Sequence, residues 1–134
     1  MTRTFKNAEK GFIGFSALAV GYVSITSLID PIATMRLVDV SLRNNDAISS
    51  IRGIFGGVGV TITLLMVCLL LRDRRLGMQF TIFFWGSYAA SRLITIIVDG
   101  PLGSFGSQWI LIETVLCLLG ISLFILAKRF EPGK

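Results

Sequence analysis

Residues 110–127 read ILIETVLCLLGISLFILA, a run with a single charged side chain, Glu113. A helix that crosses a bilayer needs about 20 mostly apolar residues, rising about 1.5 Å each, to cover a hydrocarbon core about 30 Å thick. This stretch meets that demand as it stands. A helix on the surface of a soluble domain would carry a polar face, and none is present here. Working back along the chain, runs of the same character occupy residues 78–98, 47–71 and 11–29.

The composition agrees. Of 134 residues, 53% are hydrophobic and only 16% charged, where a soluble domain carries about 25%. The mean hydropathy is +0.76. Membrane-barrel strands would alternate within segments of about ten residues, whereas these runs are continuously apolar. A helix also satisfies its own backbone hydrogen bonds in lipid. The expected fold is therefore all-α, with residues 1–134 as one membrane domain and a bundle of four transmembrane helices.

The charges between the runs orient the chain. Arg3, Lys6 and Lys10 precede the first run, Arg72-Asp73-Arg74-Arg75 joins the second to the third, and Lys128, Arg129 and Lys134 follow the fourth. These segments hold nine of the thirteen Lys and Arg residues, and a four-helix chain puts all of them on one side. Positive loops stay inside, so both termini are expected in the cytoplasm, across a bacterial inner membrane. On the other side Asp30, Asp39, Asp46 and Asp99 offset Arg36 and Arg43. A cleavable signal peptide is the competing reading of the first run, because Ala17-Leu18-Ala19 fits a cleavage site. Only the stretch from Gly11 to Ser16 separates it from Lys10, and the run continues past it, so a retained span is expected.

The chain has no histidine, which removes His-ligated haem or chlorin, most zinc and copper sites, and the commonest general base. Cys68 and Cys117 lie at depths about 10 Å apart, too far to bridge, and read as small apolar side chains. No phosphate loop, nucleophile elbow or HExxH motif occurs. The net charge of +5 follows from the topology, and no nucleic-acid motif accompanies it. No enzyme activity, no cofactor of its own and no nucleic-acid partner are expected. Lipid, quinone or pigment could make contact at its surface.

Ionisable residues inside membrane helices are costly and mark sites. Arg52 lies about 9 Å into the second run, Arg92 about 10 Å from the end of the third and Glu113 about 7 Å into the fourth, all in the outer half. The expectation is an interhelical cluster in which Glu113 pairs with Arg92, Arg52 or both, with Asp99 closing it from above and the hydroxyls of Ser91 and Tyr88 nearby. Such a cluster could lock the helices, hold an anionic or polar ligand, or serve a proton path. The lock is the plainest reading. A proton path would need polar groups in the inner half, where the helices read Leu-Leu-Met-Val-Cys and Leu-Leu-Gly-Ile-Ser.

Small residues let membrane helices approach closely. Gly53 and Gly57 form a small-xxx-small pair followed by Gly59, and Gly14, Ala17, Gly21 and Ser24 make a stripe on the first helix. Trp109 suits an interfacial belt, while Trp85 falls within the third run among Phe80, Phe83, Phe84 and Tyr88. Residues 31–43 read as a short interfacial helix with Ile32, Met35, Val38 and Leu42 on one stripe, although alternation around Asp39 and Ser41 also suits an extended piece. Asn45 or Asp46 is the expected N-cap of the second helix.

The stretch Arg52-Gly53-Ile54-Phe55-Gly56-Gly57, then Arg92 with Asp99-Gly100-Pro101, then Glu113 resembles, in that order, the signatures of a bacterial family of unknown function, numbered four-three-four-five. The resemblance covers most of the chain and implies a four-helix inner-membrane protein with no assigned activity. Phe55 stands where the signature admits Tyr or Phe, so a hydroxyl is missing there. Three functions are weighed: an accessory subunit of a larger membrane complex, such as a respiratory or photosynthetic supercomplex; a small transporter or lipid- or quinone-binding protein using an Arg52/Arg92/Glu113 pocket; and a membrane enzyme. The first is favoured, with membrane lipids and other membrane subunits as partners.

Overall fold

A computed structural model describes residues 2–130; the tail from residue 131, including Lys134, lies outside them. Four helices are long and apolar enough to cross a membrane: Thr4–Ile29, Asn45–Arg72, Arg74–Val98 and Ser104–Phe130. The first belongs to α1 (Thr2–Ile29), which a short helix α2 (Pro31–Arg36) follows. The second span consists of α3 (Asn45–Ile51), a π-helical stretch (Arg52–Val58) and α4 (Gly59–Arg72). The third and fourth spans are α5 (Arg74–Val98) and α6 (Ser104–Phe130). No strand occurs among the described residues.

The ends of these helices follow local chemistry. Pro31 has no N–H to continue α1, and Asp30 caps the new start by accepting from Ala33 N at 2.9 Å. The interfacial helix expected over 31–43 is shorter than that. It ends at Arg36, and Asp39 takes a left-handed φ of 56°, so the chain turns out of the helix before Val40. The cap of the second span is Asn44, whose side chain accepts from Ala47 N at 2.8 Å, rather than Asn45 or Asp46. The basic linker Arg72–Arg75 is a break of one residue. Asp73 leaves the helical region and its carboxylate accepts from Leu76 N at 3.0 Å, so α5 starts at Arg74 rather than 78. The fourth span likewise begins at Ser104 rather than near 110.

The core is made by Phe12, Ile13 and Ala17 of α1, Met66 of α4, and Met78 and Trp85 of α5, with Leu116, Cys117, Leu123 and Phe124 of α6 packed against it. Trp85, which the sequence places among Phe80, Phe83, Phe84 and Tyr88, is buried and donates its indole N–H to Ser16 Oγ at 3.0 Å. Its neighbour Phe83 faces outward and is 74% exposed. The buried residues of α5 include Met78, Thr81, Trp85 and Ala89, spaced as one face of a helix. On α6 the buried residues are Glu113, Gly120 and Ala127, a repeat that keeps one seam toward a neighbour.

α1 approaches the second span closely. A Cβ on Gly56 would lie 2.6 Å from Leu28 Cδ2 and 3.2 Å from the Leu28 backbone N, and one on Gly59 would strike Ser24. One on Gly21 would lie 3.1 Å from Thr63 Cγ2, and one on Gly14 meets only Leu70 Cδ2 at 3.9 Å. Ala17 is buried. The expected pair Gly53 and Gly57 does not pack: both are exposed, with nothing within 4 Å of an added Cβ. Gly53 and Gly57 share a face that points away from α1. Gly56 and Gly59, three residues apart, share the face turned to α1, as residues at that spacing on a helix do.

Candidate functional site

Glu113 sits on the inward seam of α6 and is 1% exposed. Arg92, one turn beyond Tyr88 on α5, faces it. Arg92 Nε donates to Glu113 Oε2 at 2.7 Å and Nη2 donates to Oε1 at 2.9 Å. Both carboxylate oxygens are engaged by a planar fork, the strongest form of such a pair. The Arg92 side chain retains 20% exposure. Its guanidinium carbon lies 6.0 Å from the centre of the Phe105 ring, at the limit of a cation–π contact. Tyr88 packs against Phe84 on the same helix face, with ring centres 5.1 Å apart.

The rest of the expected cluster is arranged otherwise. Arg52 does not reach Glu113. Its Nε donates to the backbone O of Leu28 at 2.9 Å, on the exposed side of the α1 crossing. The last carbonyls of a helix have no partner within it, and Pro31 brings no N–H, so Arg52 caps the end of α1. Asp99 does not close the cluster. It is exposed at the end of α5, and its backbone N–H bonds to Thr95 O at 2.8 Å. Ser91 donates its hydroxyl to Tyr88 O at 2.8 Å rather than to the pair.

A second buried pair lies at the other end of the bundle. Glu9 of α1, 1% exposed, forms an ion pair with Arg74 at the start of α5. In the sequence Glu9 stands between Lys6 and Lys10, just before the first run, and Arg74 stands in the basic linker between the second and third runs. The signal that could have found the pair is helical spacing. Glu9 lies four residues before Ile13 and eight before Ala17, both buried. Arg74 lies four before Met78, on the stripe that ends at Arg92. At the same end Phe5 and Phe130 stack with ring centres 5.2 Å apart, which brings the start of α1 beside the end of α6.

Cys68 and Cys117 are both free, and Cys117 Sγ lies 3.8 Å from Ile82 O. Among the described residues no three His, Cys, Asp or Glu side chains gather as a metal centre would need. The two arginine–carboxylate pairs join helices: α5 to α6 at one, and α1 to α5 at the other.

Fold and site together define a class: a helical bundle with four spans apolar enough for a membrane, carrying one arginine–carboxylate pair toward each end. Residues 8–124 match the family described as Domain of unknown function (DUF4345), and the chain belongs to that family. Nothing among curated proteins or solved structures matches it.

Proposed function

We propose that the protein is a non-catalytic accessory subunit of a larger complex in a bacterial inner membrane, with both termini cytoplasmic and membrane-protein subunits as its partners. The observation that carries this reading is the closed Arg92–Glu113 pair. Both carboxylate oxygens are consumed by the arginine, which leaves the group a joint between α5 and α6. What the molecule offers to others is its outer surface. On α1, Phe15, Leu18, Tyr22, Ile25 and Ile29 are 56–76% exposed and follow the alternating spacing of three and four with which helices pack side by side. Gly11, four residues before Phe15, extends that seam with nothing within 4 Å of an added Cβ. The orientation is supported by the basic residues gathered at one end of the bundle.

The test is purification from the native membrane in a mild detergent, with mass spectrometry of the proteins that accompany the chain. A defined set of membrane subunits should co-purify, and Leu18→Arg should release them while the chain itself still accumulates in the membrane. Recovery of the chain alone, or the same subunits with Leu18→Arg, would refute the reading. A second reading, binding of a small anion at the pair, is favoured by the one-fifth exposure of Arg92 beneath Phe105. Arg92→Lys distinguishes the two, since it removes the guanidinium N–H groups that Glu113 leaves unused, which would abolish anion binding, and does not touch the α1 seam, which would leave the accompanying subunits in place.

A further inference from the structure

Between α4 and α5 the bundle opens into an apolar groove. Two adjoining cavities of about 420 Å³ each share Leu65, Phe80 and Phe83, so they form one channel along the outer surface. Leu69 and Leu76 line its end near the Asp73 break, and Tyr88 lines the other end. The distance from Leu76 to Tyr88 is twelve residues of helix, about 18 Å. Half of a bilayer core is about 15 Å. The groove therefore has the length of one leaflet's acyl chains and stops near the middle of the span.

Its mouth is basic. Leu65, Leu69 and Arg72 fall at helical spacing on one face of α4, and Arg75 and Gln79 do so on α5. Gln79 itself lines the groove. Arg72 and Arg75 are both exposed. A chain-length apolar slot with two arginines at its headgroup end is complementary to one kind of occupant.

We propose that this groove binds a single anionic phospholipid from the leaflet that faces the Arg72–Arg75 turn. One acyl chain lies along Leu65, Leu69, Phe80 and Phe83, and the phosphate sits at Arg72 and Arg75. The inference rests on the membrane reading of the four spans, and it is independent of which subunits accompany the chain. Generic attraction of basic loops to lipid would concentrate anionic headgroups without selecting one chain position. The groove adds that selection.

The test uses the full chain purified in detergent and native mass spectrometry, with phosphatidylglycerol and phosphatidylcholine of identical acyl chains. One phosphatidylglycerol should be retained in preference to phosphatidylcholine. Arg72→Gln with Arg75→Gln should erase the preference, by about fivefold for each arginine, the equivalent of about 1 kcal/mol per basic residue near a lipid surface. Leu65→Trp, at a position 41% exposed, should fill the groove and lower retention of both lipids. Leu76→Trp gives an independent obstruction, and Leu18→Trp on the far side of the bundle should change nothing. Equal retention of the two lipids by the unaltered chain would overturn the proposal. So would full retention of phosphatidylglycerol by both groove-filling variants.

Discussion

Arg92→Ala should damage the bundle more than Glu113→Ala, although the two residues share one contact. The asymmetry comes from depth and reach. Glu113 is 1% exposed and has a short side chain, so without Arg92 it has no route to water. Removing one partner of a buried pair costs about 3–5 kcal/mol. Arg92 is 20% exposed and lies six residues from the end of α5, about 9 Å. A long arginine can extend that far toward the surface, so Glu113→Ala should cost about 2 kcal/mol, below the full cost of a cation held at the membrane centre. Replacing both, Arg92→Met with Glu113→Leu, removes the charges together and should return stability to within about 1 kcal/mol of the native chain. The assay is reversible unfolding of the purified chain in mixed micelles with rising denaturing detergent, followed by helical circular dichroism. The reasoning is refuted if Arg92→Ala costs less than Glu113→Ala, or if the apolar double variant is as unstable as Arg92→Ala alone.

Two further outcomes are expected. Gly56→Ala should destabilise the bundle by about 1–3 kcal/mol, because its Cβ would overlap Leu28, whereas Gly57→Ala, one residue away with open space, should be neutral or slightly stabilising in the same titration. Single cysteines at Lys6 and Arg75 should resist an impermeant thiol reagent added outside intact cells and Ser104 should react, since the basic segments are proposed to face the cytoplasm; labelling at Arg75 from outside would reverse the topology.

Much of the fold can be read from residues 110–127 and their three counterparts, because length and apolarity depend on composition alone. The partners of the charges are harder to read. Depth along a helix follows from counting residues, and by that measure Arg52, Arg92 and Glu113 are equivalent. Azimuth does not follow when the helix changes pitch. The π-helical stretch that begins at Arg52 turns that residue toward the end of α1, where a carbonyl needs a donor. In the same region Gly56 and Gly59, not Gly53 and Gly57, lie against α1, and spacing alone does not choose between two such pairs. Glu9 was hidden differently: among Arg3, Lys6 and Lys10 it passes as one more solvated charge, and only its phase with Ile13 and Ala17 gives it away. Trp85 could be found in the same way, since it is in phase with Met78 and Arg92 while Phe83 is not.

The two pairs have one helix in common. Arg74 and Arg92 are eighteen residues apart on α5, about five turns and roughly 27 Å, so they leave the same face near opposite ends of the span. One holds Glu9 of α1 and the other holds Glu113 of α6. Between them the same face carries Met78, Thr81, Trp85 and Ala89. In lipid, apolar packing discriminates weakly between registers, because the tails are as apolar as the side chains they would replace. A buried pair discriminates strongly. Sliding α5 by one residue moves Arg92 about 1.5 Å along the axis and turns it about 100°, which strands Glu113 without a partner. Pairs at both ends therefore fix α5 in translation, rotation and tilt against α1 and α6 together. The second span meets α1 by other means: Gly56 and Gly59 lie against Leu28 and Ser24, Thr63 lies against Gly21, and Arg52 caps the end of α1. Against α5 it packs near the Asp73 break, where a Cβ on Gly77 would lie 3.2 Å from Leu69 Cβ, and through Met66, which joins Met78 and Trp85 in the core; the groove runs outside these contacts along the same seam.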